Sequence, residues 1–370
     1  MESSLHDHID IIDELYEFFN QQLNLKKIVV DHREHIVQGL LNSESTYMQQ
    51  LKTALCQYKK PLMASAAAVH RTSRFSSSSR VSVTTSQIEM MFGNMEDLLT
   101  ISQRFYDRLT ERIHIWGPTQ LLSDILASVV TELEKHYSAY FRNYGNALAI
   151  LERLARSHQM RKYVEEDRLF SLLEQPLHVF ERYTESLDSL MRYTEPHHPD
   201  AHRLYACASD LEHLVSDTRK ILRKCHNTGK LFRLAQSIRH GPPLLDKPRQ
   251  FILSGELLFG RSQPRTCLLL SDTFLYCKKS SSRDNMLDYK GRLDLNCATI
   301  KVYRHGFKIT MEDSEPTYRY SDDINALLIA SGGAPPRTYY LRTTTAEDHA
   351  RWLQAFQKMV SAKRLLHGSF

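Results

Sequence analysis

The chain has 370 residues, 42% of them hydrophobic and 25% charged, which is typical of a globular protein with room for two or more domains. Its net charge of +5 is too small to indicate nucleic-acid binding, although it permits attraction to an anionic membrane surface. No apolar run approaches the roughly 18 residues of a membrane span, and the start MESSLHDHIDIIDE does not resemble a signal peptide. The six cysteines lack close pairing, which favours reduced thiols. We therefore expect a cytoplasmic protein, with peripheral membrane association left open.

The first 60 residues are predicted to be helical. Apolar residues recur at helical spacing within residues 1–30, and again from His35 to Lys60. Two interpretations of residues 1–30 remain open: a helix packed on the following bundle, or an autoinhibitory helix that covers a partner site.

Residues 64–87 are small and polar, with no apolar periodicity. They predict a disordered insertion between two helices. A plain flexible linker is favoured over a phosphorylated segment, although arginines stand beside hydroxyl residues in 71–76 and 80–82.

Helical periodicity resumes at Ile88, is broken at Trp116-Gly117-Pro118, and continues to Leu148. The stretch from Phe170 to Leu222 then carries two apolar stripes at helical spacing, separated by the proline-rich run 195–199. This pattern predicts two antiparallel helices in a bundle.

After Gly229 the pattern changes to strands. The predicted strands are 251–259, two runs within 266–277 around a turn at Ser271-Asp272, 291–295, 298–303, 307–311 and 338–342. A final amphipathic helix is predicted from Thr344, with Glu347 completing a capping box. Trp352 lies on its apolar stripe and is expected to be buried against the strands.

Several motifs in the first half resemble the conserved regions of Dbl-homology domains. Glu44 and Tyr47 resemble the first region, and the tyrosines from Tyr137 to Tyr144 the second. The third region is matched by Pro176, Arg182-Tyr183 and His198-Pro199-Asp200. The strands and the single C-terminal helix resemble the pleckstrin-homology fold, which follows Dbl-homology domains in this family.

The resemblance implies an elongated, all-helical Dbl-homology bundle followed by an α+β pleckstrin-homology barrel or sandwich capped by a C-terminal helix. The predicted division is a helical extension over 1–30, the bundle over 31–228 with its insertion at 64–87, and the second domain over 229–370.

The resemblance also implies nucleotide exchange on a Rho-family small GTPase by stabilisation of its nucleotide-free state, without covalent chemistry. A glutamate that contacts the GTPase in the family falls on Gly39 here, and the late asparagine falls on Arg219. The expected partner surface follows from these positions: Gly39, Asn42, Ser43, Glu44, His178, Arg182 and Arg219. Because Gly39 replaces the glutamate, a scaffold that binds a GTPase or another partner without catalysing exchange is the alternative.

The sequence indicates no catalytic residue, metal site or cofactor. In the second domain only Arg261 and Arg265 stand where pleckstrin-homology domains bind phosphoinositides, which predicts weak contact with an anionic membrane.

Overall fold

The computed structural model describes residues 2–72, 83–157, 166–260, 263–280, 286–311 and 337–367. The chain forms two compact units, Met1–Cys225 and His226–Phe370. The predicted domain boundary after residue 228 lies within a helix that continues to Ser237, and it stays a prediction.

The first unit is built from helices. They are α1 (Glu2–Thr53), α2 (Lys60–Thr72), α3 (Thr85–Phe92), α4 (Met95–His114), α5 (Ser123–Arg156), α6 (Glu166–Glu174), α7 (Val179–Arg192) and α8 (Ala201–Ser237). A π-helical turn (Ala54–Lys59) joins α1 to α2, and a 3₁₀ turn (Gln175–His178) joins α6 to α7. The two segments predicted over 1–30 and 35–60 form one continuous α-helix as far as Thr53, because no proline or glycine interrupts the sequence before Gly39.

The prediction of a disordered insertion over 64–87 is wrong at both ends. Helix α2 continues to Thr72 and buries Ala66, which agrees with the high helix propensity of its alanines. Val83 is buried, and Thr84 begins α3 with a capping box: its Oγ1 accepts a hydrogen bond from the Gln87 amide at 3.2 Å. Residues 73–82, with their arginine–hydroxyl pairs, lie outside the described residues.

The His198-Pro199-Asp200 motif holds three helices of the bundle together. The Asp200 carboxylate accepts hydrogen bonds from the amides of Leu122 (2.9 Å) and Ser123 (3.1 Å) at the start of α5. A carboxylate is favourable there because the first amides of a helix lack intrahelical partners. Arg33 of α1 donates to the same carboxylate at 3.1 Å. The motif therefore has a structural role.

The second unit contains an eight-stranded sheet and a C-terminal helix. The strands are β1 (Ile238–Arg239), β2 (Phe251–Phe259), β3 (Gln263–Leu270), β4 (Thr273–Lys279), β5 (Leu287–Asp294), β6 (Ala298–Tyr303), β7 (Gly306–Met311) and β8 (Thr338–Arg342). Their order is β1-β5-β4-β3-β2-β8-β7-β6. Because β1 and β6 are its two ends, the sheet is open and the predicted barrel is not closed.

Helix α9 (Ala346–His367) packs on this sheet through Trp352. The indole is 2% exposed and its ring centre lies 5.9 Å from that of Phe274, which confirms the predicted burial. Gly255 of β2 leaves room for it, since a Cβ at that position would lie 3.3 Å from the indole Nε1. The helix is capped by Thr345, one residue later than predicted, whose Oγ1 accepts a hydrogen bond from the Asp348 amide at 3.1 Å.

Candidate functional site

Helix α1 presents part of the predicted partner surface. Gly39 and Asn42 are exposed and Ser43 is half-buried, as expected for positions three and four residues apart on one helix face. A Cβ built on Gly39 would meet no atom within 4 Å. Packing within the described chain therefore does not require glycine at this position.

Glu44 lies in the interior of the bundle, which contradicts its predicted place on the surface. Its side chain is on the buried face of α1 and the residue is only 1% exposed. Its carboxylate accepts hydrogen bonds from the hydroxyls of Ser102 on α4 and Tyr183 on α7, the latter at 3.1 Å. Burial raises the pKa of this carboxyl, and the two hydrogen bonds and the charge of Arg182 offset part of that shift.

Arg182 connects α7 to α1. Its guanidinium carbon lies 4.1 Å from the centre of the Tyr47 ring, and its charge acts on the nearby Glu44 carboxylate. The Tyr47 hydroxyl is in turn 2.9 Å from that of Tyr137 on α5. Arg182 is half-buried, and its Nε and Nη2 atoms have no hydrogen-bond partner among the described residues. The Arg182 side chain therefore packs against Tyr47 inside the bundle and is also partly exposed at the bundle surface.

The other two predicted contact residues lie at the start of α7 and on α8. His178 is half-buried at the start of α7, with its Nδ1 3.1 Å from the Glu181 carboxylate. Arg219 is exposed on α8, one turn beyond Val215. Val215 lines a groove of about 460 Å³ between α7 and α8, beside Tyr205, which is 61% exposed. The sequence did not predict Tyr205 as a surface residue, although it lies off the apolar stripe of its helix.

The predicted phosphoinositide residues are only partly described. Arg261 lies outside the described residues. Arg265 is half-buried, and its guanidinium donates to the Gln263 side chain at 2.8 Å.

A set of cations that was not predicted from the sequence lies on strands β6 to β8. In the strand register, Lys308 of β7 lies between Lys301 of β6 and Tyr340 of β8. Two residues further along, Gly306 of β7 lies between Tyr303 and Arg342. The side chains of Lys301, Tyr303, Lys308, Tyr340 and Arg342 therefore share one face of the sheet. Tyr303 and Tyr340 are 52% and 54% exposed. The signal in the sequence was the alternation of polar and apolar residues along each strand.

In the described part of the chain, no group of three or more His, Cys, Asp or Glu side chains could hold a metal ion. Among the described helices, none has a stretch long and apolar enough to cross a membrane.

Comparison with known proteins matches both units to families. The model of the RhoGEF domain matches residues 36–219, and that of the PH domain matches residues 238–361. Human "Rho guanine nucleotide exchange factor 4" is 26% identical over 344 residues, which cover 88% of this chain and 46% of the relative. Mouse "Spermatogenesis-associated protein 13" is 26% identical over 341 residues, 88% of this chain and 48% of the relative. The chain thus spans about half the length of these curated relatives.

The crystal structure of the DH/PH domains of p115-RhoGEF has the same fold. It superposes with a TM-score of 0.50 at 14% identity, covering 90% of this chain and 94% of that one.

Proposed function

Because the chain belongs to the RhoGEF family, with a RhoGEF domain followed by a PH domain, we propose that it is a guanine-nucleotide exchange factor for a Rho-family small GTPase. The human relative is named a Rho guanine nucleotide exchange factor. Exchange requires no covalent step: the helical surface binds the nucleotide-free GTPase more tightly than the nucleotide-bound form, which shifts the GTPase toward nucleotide release.

The contact between Arg182 and Tyr47 is the observation that carries this proposal. It brings the start of α7 against α1 one turn beyond Ser43, so that residues from two distant parts of the sequence border one surface. In this proposal Asn42 and Arg219 supply exposed polar contacts, whereas Glu44 acts indirectly by holding Tyr183 and Arg182 in place.

The alternative is a scaffold that binds a GTPase or another partner without releasing nucleotide, and Gly39 favours it. The residue is exposed and packing within the described chain does not require a glycine there, so the position is open to an acidic side chain that the sequence does not supply.

Release of a fluorescent nucleotide from Rho-, Rac- and Cdc42-type GTPases tests the proposal. We expect accelerated release from at least one of them, and a loss of that acceleration in Arg219→Glu, because like-charge or mismatched contacts at an interface are unfavourable. Arg203→Glu is the matched control, since Arg203 is also exposed on α8 but lies about four turns away. Binding without accelerated release would favour the scaffold, and absence of binding to every GTPase would contradict both.

Contact with an anionic membrane is a second proposed function. We propose that the face of β6–β8 makes this contact, rather than Arg261 and Arg265. Lys301, Lys308 and Arg342 lie beside two exposed tyrosines, and the sequence of 298–311 and 337–342 contains no acidic residue. Cations attract anionic headgroups, and tyrosine side chains favour the membrane interface. We expect sedimentation with phosphatidylserine vesicles to fall in Lys301→Glu/Lys308→Glu but not in Lys278→Glu, a control at an exposed lysine of β4.

A further inference from the structure

The half-buried ring of His198 lies where α1, the segment before α5 and the start of α8 meet. Its Nδ1 atom is 3.1 Å from the amide nitrogen of Asp200, and its Nε2 atom is 2.8 Å from the carbonyl oxygen of Pro118. Nη1 of Arg33 lies 2.5 Å from the same Nε2 atom, while Nη2 of Arg33 donates to the Asp200 carboxylate. The imidazole therefore contacts both members of the buried ion pair.

The hydrogen-bond partners of this ring favour its neutral form. A neutral imidazole offers one N–H group and one lone pair, whereas the protonated ring offers two N–H groups and no lone pair. Accepting from the Asp200 amide at Nδ1 and donating to the Pro118 carbonyl at Nε2 uses both groups of the neutral ring. A proton added at Nδ1 would face the N–H of Asp200, so that amide would lose its acceptor.

The charges around the ring also favour the neutral form on balance. Burial is the largest cause that lowers the pKa of His198, and the guanidinium of Arg33 adds to it. The hydrogen bond to Pro118 and the carboxylates of Asp200 and Glu195 raise the pKa, but by less, so it lies below its ordinary value of 6.5. The neutral ring thus contributes fully to stability above pH 6.5, and this contribution is lost as the pH falls through the folded-state pKa.

The contact lies where α1 joins the bundle. Among the described side chains of α1, Arg33 is the first that is buried. A positive charge on the neighbouring imidazole would repel the guanidinium of Arg33 and weaken its contact with Asp200. A contact at the end of a packed segment opens more readily than the core, and α1 remains packed through Val37 and later apolar residues.

We propose that His198 makes this junction sensitive to acid: protonation of its ring weakens the Arg33–Asp200 contact and opens α1 locally around Arg33. The neutral ring keeps the junction closed, and mild acidification opens it while the interior of the bundle stays folded. This proposal is independent of nucleotide exchange, because it concerns only contacts within the bundle.

Urea unfolding of the full chain at about pH 7.5 and about pH 5.5 tests the proposal with His198→Asn. Asparagine does not titrate, and its side-chain oxygen can accept from the amide two residues later, as Nδ1 of His198 does. Between these pH values we expect the unfolding equilibrium constant of the wild-type protein to rise about threefold or more relative to that of His198→Asn.

His202→Asn is the matched control for this comparison. His202 is exposed on α8 two residues beyond Asp200, and its replacement should keep the wild-type pH dependence. Equal pH dependence of the wild-type protein and His198→Asn would overturn the proposal. A wild-type protein that gains stability relative to His198→Asn in acid would also overturn it, because the protonated ring would then be the preferred form.

Tryptophan fluorescence tests whether the opening is local to Arg33. The guanidinium carbon of Arg33 lies 5.9 Å from the centre of the Trp116 ring, and Trp352→Phe leaves Trp116 as the only tryptophan. We expect the Trp116 emission maximum to shift to longer wavelength on acidification, because withdrawal of Arg33 exposes the ring to water, and His198→Asn to abolish this shift. If Trp352→Phe does not fold, difference spectra with both tryptophans present give the same comparison. A shift that persists in His198→Asn, or the absence of a shift in the wild-type protein, would overturn the local opening.

Discussion

The guanidinium carbon of Arg182 lies 4.1 Å from the centre of the Tyr47 ring, so that a cation of α7 rests on an aromatic side chain of α1. The buried carboxylate of Glu44 lies close enough for the two charges to interact, and it also accepts a hydrogen bond from Tyr183, the residue after Arg182. The arginine that the family resemblance assigns to the partner surface thus also stabilises the contact between two helices.

Charge reversal at Arg182 should destabilise the fold. Arg182→Glu would place a second carboxylate beside Glu44 and remove the contact with Tyr47, and we expect the free energy of unfolding to fall by about 1–3 kcal/mol. Arg192→Glu, at an exposed position in the last turn of the same helix, should lower it by only about 0.3–1 kcal/mol, the cost of a carboxylate at a helix C-terminus. Urea unfolding measures both. Unchanged stability together with lost GTPase binding would instead assign Arg182 wholly to the partner surface.

Arg33 and Asp200 should behave as a coupled pair. Both side chains are almost fully buried, at 2% and 0% exposure, so removal of either partner leaves a buried charge. We expect Arg33→Met and Asp200→Asn each to cost about 3–5 kcal/mol, with the larger cost at Asp200 because it also caps α5.

The double variant should cost less than the two single variants added together, because neither charge then remains unpaired. Urea unfolding of the four proteins gives this coupling free energy. Strict additivity would show that the two side chains stabilise the bundle independently.

The sequence predicted the elements of this fold better than the surroundings of individual side chains. Strand β2 was predicted from the residue pattern of 251–259, and the burial of Trp352 was predicted from its place on the apolar stripe of the last helix. The burial of Glu44 was also encoded, because it stands four residues after Leu40 and three before Tyr47, on the same helix face as these two buried residues. A motif comparison assigned it to the surface, since motifs record which residues occur together and not which way they face.

Other features depended on tertiary pairing. The Arg33–Asp200 contact joins residues 167 positions apart, which no local pattern reveals. The cationic face of β6–β8 required the strand register, because Lys308 and Tyr340 are neighbours only when β7 and β8 pair.

Glu44 should make the bundle less stable as the pH rises. Its pKa is raised in the folded state, chiefly by burial, so the folded protein holds this proton more tightly than the unfolded chain does. The contribution of Glu44 is therefore most favourable below its ordinary pKa of 4.5 and is lost as the pH rises through the folded-state pKa.

Glu44→Gln should remove this part of the pH dependence while keeping one acceptor for Tyr183 or Ser102. Unfolding free energies measured from pH 4.5 upward in both proteins provide the comparison. A wild-type protein that gains stability relative to Glu44→Gln over that range would show that the charged form, paired with Arg182, is the preferred one.

Replacement of Gly39 by alanine should stabilise the bundle. Gly39 lies in the interior of α1, is exposed, and would have no atom within 4 Å of an added Cβ. Gly39→Ala should therefore raise the free energy of unfolding by about 0.5–1 kcal/mol, because alanine restricts the unfolded chain more and favours the helix. Gly145→Ala is the matched control, since Gly145 is also exposed within a helix, α5, with open space around its Cβ position, and it should show a similar gain in urea unfolding.

Gly39→Glu tests how the partner surface works, because it introduces the acidic side chain that the family resemblance implies at this position. If the chain is an exchange factor and the missing acidic side chain at position 39 limits its exchange rate, Gly39→Glu should increase nucleotide release from the GTPase by roughly tenfold. This increase is the equivalent of about 1.4 kcal/mol. Gly145→Glu should leave the release rate unchanged. A decrease with Gly39→Glu, at unchanged stability, would show that the partner approaches the bare backbone of α1 at this point and that glycine is needed for the contact itself.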